Sequence, residues 1–170
     1  MTTTRYSLLD SPIGTLLLVG RPGVLSGLYV ADHMGAPRPA TGWERDDAAL
    51  EPVRRQLLEY FAGERTAFDL DLETSGSPWQ ARVWAGLREI PYGATASYGQ
   101  LARRLGAPQA ARAVGRANGT NPISIVIPCH RVVATTGLGG YGWGLERKAW
   151  LLEHERAVAA GGSPLVGLAR

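Results

Sequence analysis

The segment Ile123-Ser124-Ile125-Val126-Ile127-Pro128-Cys129-His130-Arg131-Val132-Val133 sets the only cysteine of the chain between an apolar run and two basic residues. The β-branched run predicts a buried strand or strand-like lead-in. Pro128 stiffens the backbone where the thiol emerges and withholds one amide donor. A rigid approach ending in Cys-His-Arg is suited to presenting a sulfur atom. The thiolate is the nucleophilic form, and basic neighbours such as His130 and Arg131 favour it. The plain alternative is that Cys129 is a small buried hydrophobe, as many single cysteines are.

The segment upstream supplies a context for that thiol. Ser97-Tyr98-Gly99-Gln100 is a capping box that opens a short helix through Leu101 and Leu105. Gly106-Ala107-Pro108 is a tight turn, and a helix over about 109–118 follows. Two short helices joined by a glycine-containing turn read as a helix-turn-helix. The second of them is small-sided, with Ala110, Ala111, Ala113, Gly115 and Ala117, and carries Arg112 and Arg116. Small side chains allow close approach to another helix or to a nucleic-acid groove.

Charge favours the groove. Residues 1–74 hold 7 Arg against 11 Asp/Glu, a net of −4, whereas residues 75–170 hold 11 Arg/Lys against 4 Glu, a net of +7. A basic part joined to an acidic one points to a polyanionic partner for the basic part. Thr74-Ser75-Gly76 is the expected linker, dividing the 170 residues into an N-terminal domain over 1–74 and a second domain over 75–157. Residues 158–170 read as a loose tail.

The N-terminal part predicts an antiparallel sheet with a helix. Strands are expected over 6–9, 15–19 and 24–30, a loop over 31–45, a helix over about 48–62, and a strand over 68–72. In the second part, Ser77-Pro78-Trp79-Gln80 is a capping box opening a helix lined by Trp79, Val83, Leu87 and Ile90. Beyond the thiol lies the glycine-rich loop 137–144, holding Tyr141, Gly142 and Trp143. A final helix over about 145–157 is expected to turn Leu145, Ala149 and Leu152 inward.

Composition excludes several classes. No apolar run is long enough to span a bilayer, and the first residues lack a signal-peptide core, so a cytoplasmic protein without a membrane partner is expected. One cysteine excludes an internal disulfide and a Cys-rich zinc site. His33, His130 and His154 lack metal-ligand spacing, so neither a metal nor another cofactor is expected.

Three uses of the thiol remain open on these residues. A Cys-His hydrolase would need an orienting third group. A redox thiol would want a resolving cysteine, and the chain has none. Direct attack on an alkyl carbon attached to a nucleic-acid base would need that base flipped out of its stack. A helix-turn-helix that senses lesions without reacting is a further alternative.

A family pattern accompanies these features. Arg112 through Pro122, then Ile127-Pro128-Cys129-His130-Arg131-Val132-Val133, then Gly140-Tyr141-Gly142-Trp143-Gly144, then Lys148 and the run from Leu151 to Glu155 resemble O6-alkylguanine-DNA alkyltransferases, the methylated-DNA–protein-cysteine methyltransferases. The likeness is strong over about 77–156 and looser over 1–74. It implies an α+β protein: a ribonuclease H-like antiparallel sheet with a helix, then a mostly helical winged helix-turn-helix domain carrying the cysteine. It implies direct-reversal DNA repair, with single, irreversible transfer from O6-alkylguanine, and less well from O4-alkylthymine, to Cys129. His130 would withdraw the thiol proton through a water, and Glu155 would hold the imidazole. Tyr98 would assist departure of the guanine. Arg112 would replace the flipped nucleotide in the stack, with Ala111, Arg116 and Arg131 in the DNA-binding set. Asn121 would tie the recognition helix to the cysteine loop. The carbonyls of Cys129 and Val132 would read the guanine amine, and the Gly142 amide would face O6. Lys148 and Tyr141 would order the active-site loop, and bulky Trp143 would disfavour large adducts. The implied partner is double-stranded DNA met from its minor groove by a monomer capable of cooperative assembly. The zinc-binding cysteines of some relatives are missing.

Overall fold

The computed structural model describes residues 2–168. The chain forms two compact units, one built from residues up to Thr74 together with the stretch from Val166 onward, the other spanning Ser75–Leu165.

The first unit is a five-stranded sheet with one helix. β1 (Arg5–Ser11), β2 (Gly14–Arg21) and β3 (Val24–Val30) form an antiparallel meander. Tight two-residue connections at Pro12-Ile13 and Pro22-Gly23 set its register, with Ser11 opposite Gly14 and Arg21 opposite Val24. A bulge lies between Val19 and Gly20, where a Cβ on Gly20 would meet the Val24 carbonyl oxygen at 2.1 Å, so only glycine fits. The sheet is mixed rather than purely antiparallel. β4 (Glu44–Arg45) lies in the expected loop 31–45 and pairs parallel with β1. β5 (Asp71–Leu72) pairs parallel with β3 and closes the order β4-β1-β2-β3-β5.

The expected strand over 68–72 is shortened for a visible reason. The Gln56 side chain donates to the Asp69 carbonyl at 2.8 Å and accepts from the Asp69 amide at 2.9 Å, so these backbone groups are satisfied without a ladder. Gln56 belongs to α1 (Glu51–Phe61), which buries Val53, Leu57, Tyr60 and Phe61 and has Pro52 in its first turn. The last helix runs to Ala159, and the Leu168 amide donates to the Pro12 carbonyl at 2.8 Å.

The second unit is mostly helical. α2 (Pro78–Arg88) and α3 (Tyr98–Arg104) both begin with complete capping boxes, at Ser77/Gln80 and Ser97/Gln100. α4 (Ala111–Gly119) completes the helix-turn-helix. Its inner face packs on α2 through tryptophan: Trp79 and Trp84 indoles donate to the Ala113 and Ala117 carbonyls at 3.2 and 2.9 Å. Arg112 and Arg116, one turn apart, stay exposed on the outer face.

Between α4 and α5 (Leu145–Ala159) runs the thiol segment. Its lead-in is not a strand. The Ile127 amide donates to the Ile123 carbonyl at 2.9 Å and the Val126 amide to the Ser124 carbonyl at 3.0 Å, so the buried run folds on itself. Ile125 takes a positive φ of 72° to do so. For a β-branched residue that conformation costs on the order of 1–3 kcal/mol. A two-residue parallel ladder then pairs β6 (Ala96–Ser97) with β7 (Val132–Val133). It joins the start of α3 to the exit of the thiol segment.

α5 turns a different face inward from the expected one. Leu145 is 52% exposed and Ala149 lies outward, while Lys148, Trp150, Leu151, His154 and Glu155 are buried.

Candidate active site

Pro128 closes a tight turn in which the Cys129 amide donates to the Ile127 carbonyl at 2.8 Å. A single 3-10 turn, Cys129–Arg131, follows. This turn aims three consecutive side chains in different directions, and all three are buried. Cys129 is 4% exposed.

The sulfur lies in a polar pocket of the core. Its thiol contacts the Ser124 hydroxyl at 3.7 Å. Burial pushes the thiol pKa up, while the Asn121 side chain, Ser124 and the Lys148 charge pull against that rise. The net is a thiol held above its ordinary range, protonated until a base takes its proton. Tyr98 and Tyr141 face the same point. Burial first, and then the thiolate charge, keep the Tyr141 proton in place. Burial likewise raises Tyr98.

His130 and Glu155 form a buried pair. The imidazole Nε2 lies 2.7 Å from Glu155 Oε1. A carboxylate there accepts the Nε2 proton, which leaves Nδ1 with its lone pair. Nδ1 is buried and has no hydrogen-bond partner among the described residues.

Arg131 is turned inward. It is 7% exposed, and its Nε and Nη2 each reach Glu155 at 2.9 Å. Its Nη1 donates to the Ile90 carbonyl at 2.7 Å, and its guanidinium lies over the Tyr92 ring at 5.6 Å. The 3-10 turn carries this side chain inward, where its fork clamps Glu155. Burial alone would raise the Glu155 carboxyl. The charges and hydrogen bonds of His130 and Arg131 outweigh burial and hold it well below the usual carboxylate range.

Two asparagines fasten the segment to the helix-turn-helix. The Asn121 amide donates to the Ile127 carbonyl at 2.7 Å, and its oxygen accepts from the Ile123 amide at 3.0 Å. Asn118, buried on α4, donates to the Cys129 carbonyl at 3.3 Å. Sequence reasoning missed Asn118, and its only signal was an asparagine at the inner end of a helix otherwise lined with alanine. Ser124 was also missed, because a serine inside an apolar run reads as an interruption.

Lys148 organises the glycine-rich loop. Its ammonium donates to the carbonyls of Val132 at 2.6 Å, Gly140 at 3.0 Å and Leu138. All three of its protons are thereby used. Burial lowers its pKa to about 8, with the thiolate acting in the opposite direction. The Tyr98 ring is held between the loop and α4. A Cβ on Gly139, where φ is +73°, would meet the Tyr98 hydroxyl at 2.9 Å, and one on Gly115 would meet its ring at 3.7 Å. Trp143 is buried and meets the Tyr141 ring edge-on at 5.9 Å. Gly142 is exposed, and Ala111 is half-buried at the start of α4. Among the described residues no cluster of His, Cys, Asp and Glu could hold a metal, and no helix is long and apolar enough to cross a membrane.

Comparison with known proteins adds the following. Residues 78–157 match the DNA-binding domain of the 6-O-methylguanine DNA methyltransferases, and residues 4–74 match their ribonuclease-like domain. The methylated-DNA–protein-cysteine methyltransferase of Mycolicibacterium paratuberculosis is 53% identical over 152 residues, covering 89% of this chain and 92% of that protein. The crystal structure of Mycobacterium tuberculosis OGT in complex with DNA is 48% identical, with a TM-score of 0.84 over 91% of this chain and 94% of that one. The O6-methylguanine-DNA methyltransferase of Pyrococcus kodakaraensis strain KOD1 is 26% identical, with a TM-score of 0.64 over 88% of this chain and 97% of that one.

Proposed function

The chain belongs to the 6-O-methylguanine DNA methyltransferase family, and on that premise we propose how its residues divide the work. It is a DNA-repair protein that moves the alkyl group of O6-alkylguanine in DNA onto one of its own cysteines. The observation that carries the assignment is that Cys129, the only cysteine in 170 residues, is buried beside the His130–Glu155 pair.

The resting thiol is protonated, so a base is needed. His130 Nδ1 takes the proton through a bridging water, since sequence neighbours on a 3-10 turn do not face one another. Glu155 orients the imidazole and steadies the imidazolium, and Arg131 positions Glu155. The thiolate attacks the methyl carbon, the O6–carbon bond breaks, and the electron pair leaves with guanine. Tyr98 supplies the proton that the departing base requires. The thioether that results does not revert, so each chain acts once.

The target base must leave the duplex to meet a sulfur this deeply buried. α4 approaches the minor groove with its small-sided face, and Arg112 fills the space vacated by the base, with Arg116 beside it toward the backbone. The Cys129 and Val132 carbonyls accept from the guanine amine, and the Gly142 amide faces O6. Asn118 and Asn121 carry the register of α4 to the thiol. The functional domain spans 75–157. The protein acts as a monomer in the cytoplasm and assembles cooperatively on DNA at high density. Trp143 narrows the pocket toward small adducts.

The test uses a Cys129→Ser protein and DNA labelled in the methyl group of O6-methylguanine. The variant is expected to hold lesion DNA as tightly as the wild type and to take no label. Label on the variant would reject the assignment. Retained lesion binding with no label on the wild type would instead favour a non-reacting lesion sensor.

A further inference from the structure

The reaction so described leaves the contact between Ser124 and the sulfur without a role. Ser124 is buried, and its hydroxyl lies 3.7 Å from Cys129 Sγ. The contact is built by the backbone. Ile125 adopts a positive φ, the Ser124 carbonyl accepts from the Val126 amide at 3.0 Å, and Ser124 bridges to Ile127. Asn121 clips the reversal at the Ile123 amide and the Ile127 carbonyl. The chain thus doubles back within five residues and returns a hydroxyl to the sulfur that follows.

We propose that Ser124 is a further catalytic residue, its hydroxyl donating to the Cys129 sulfur as the thiolate forms. In the resting state the thiol is the donor and the Ser124 oxygen accepts. Once the proton has gone, the sulfur can only accept, and the hydroxyl rotates to donate. A hydrogen bond to an ionised group is stronger than one between neutral groups. The contact therefore strengthens as the nucleophile is generated.

The proton inventory closes without Ser124 losing its own. The thiol proton passes to His130 Nδ1 through water. A sulfur lone pair forms the new S–C bond as the O6–C bond breaks, and the O6–C bonding pair stays with guanine. Guanine takes its proton from Tyr98, which recovers one from solvent, as His130 returns one. The titratable or charged groups that act on the sulfur are Lys148, Tyr98 and Tyr141, and the Asn121 side chain reaches it as well. Ser124 is the hydroxyl to which the resting thiol donates, and it answers ionisation without changing charge.

The inference rests on Cys129 being the methyl acceptor, and the experiment separates the two. With one cysteine in the chain, a labelled Cys129 β-carbon reports thiol ionisation directly by NMR across a pH series. Single-turnover methyl transfer from O6-methylguanine duplex is followed on the same proteins. In Ser124→Ala the ionisation midpoint is expected to move to higher pH, and transfer at neutral pH to slow by about tenfold. Duplex affinity should be unchanged. Ser124→Thr, which keeps the hydroxyl, should stay near the wild type in both readouts. Should the alanine variant fail to fold, Ser124→Gly gives the same comparison. A midpoint that does not move when the hydroxyl is removed overturns the proposal. Absence of methyl transfer in the wild type would overturn the acceptor reading instead, and the titration would still decide the part played by Ser124.

Discussion

Arg131 presents two N–H groups to Glu155, each at 2.9 Å, and both side chains are buried. Removing one partner of a buried pair leaves the other charge uncompensated, which costs about 3–5 kcal/mol. Arg131→Ala should lose stability on that scale in urea unfolding. Arg131→Lys should recover only part of it, because an ammonium cannot reproduce the fork. Glu155 gives the matching pH dependence. Its folded pKa lies below the unfolded value of about 4.3. Its stabilising contribution is therefore complete above that unfolded value and is lost as pH falls toward the folded one. In acid titrations of stability, Glu155→Gln should flatten the acid limb and leave the neutral slope unchanged. An unaltered acid limb would mean that other carboxylates govern acid unfolding. Arg131 also shows what reading residues in order leaves out. Its place next to the thiol suggested a role at the sulfur or on DNA, but a 3-10 turn separates neighbours by direction, and Glu155 lies 24 residues away.

At the scale of elements, α4 has two faces with two tasks. Val114, Ala117 and Asn118 pack inward while Arg112 and Arg116 remain exposed. If Arg112 takes the place of a flipped base, Arg112→Ala should slow methyl transfer from duplex DNA by roughly 100-fold. It should leave the slow reaction with the free O6-methylguanine base unchanged. Equal losses on both substrates would place Arg112 in the pocket rather than in the stack. The loop makes a second expectation. Gly139→Val would drive a side chain into the Tyr98 hydroxyl at a backbone angle that costs a β-branched residue about 1–3 kcal/mol, so transfer should slow and stability measured by urea should fall on that scale. Legibility varied between elements for physical reasons. The helices beginning at Ser77 and Ser97 were readable because capping is local chemistry between residues three apart. The run before Cys129 was misread as a strand because burial and β-branching do not distinguish a ladder from a chain folded on itself. The inner face of α5 was misread because hydrophobic periodicity cannot find a core face made of Lys148, His154 and Glu155. The ladder of Ala96-Ser97 with Val132-Val133 is only two residues long and carries no periodic signal.

For the whole molecule, charge and stoichiometry are the relevant quantities. The net of +7 over residues 75–170 predicts DNA binding that weakens as salt rises, by about 0.9 log units per log unit of salt for each phosphate neutralised. Arg116→Ala should lower that slope by about one contact, and a flat salt dependence would contradict the basic-surface account. The resemblance over about 77–156 pointed to an acceptor, a base and a helix-turn-helix in outline. The supports of that site were not legible, since Asn118, Ser124 and the Arg131 clamp exist only through tertiary packing. The central claim is that Cys129 is consumed in the act of repair. Its most direct measurement counts methyl groups transferred per chain when O6-methylguanine DNA is in large excess, with the labelled peptide mapped. The account predicts a single burst that stops at one methyl per chain, all of it on the peptide containing Cys129. Continued turnover, or label on any other residue, would contradict it.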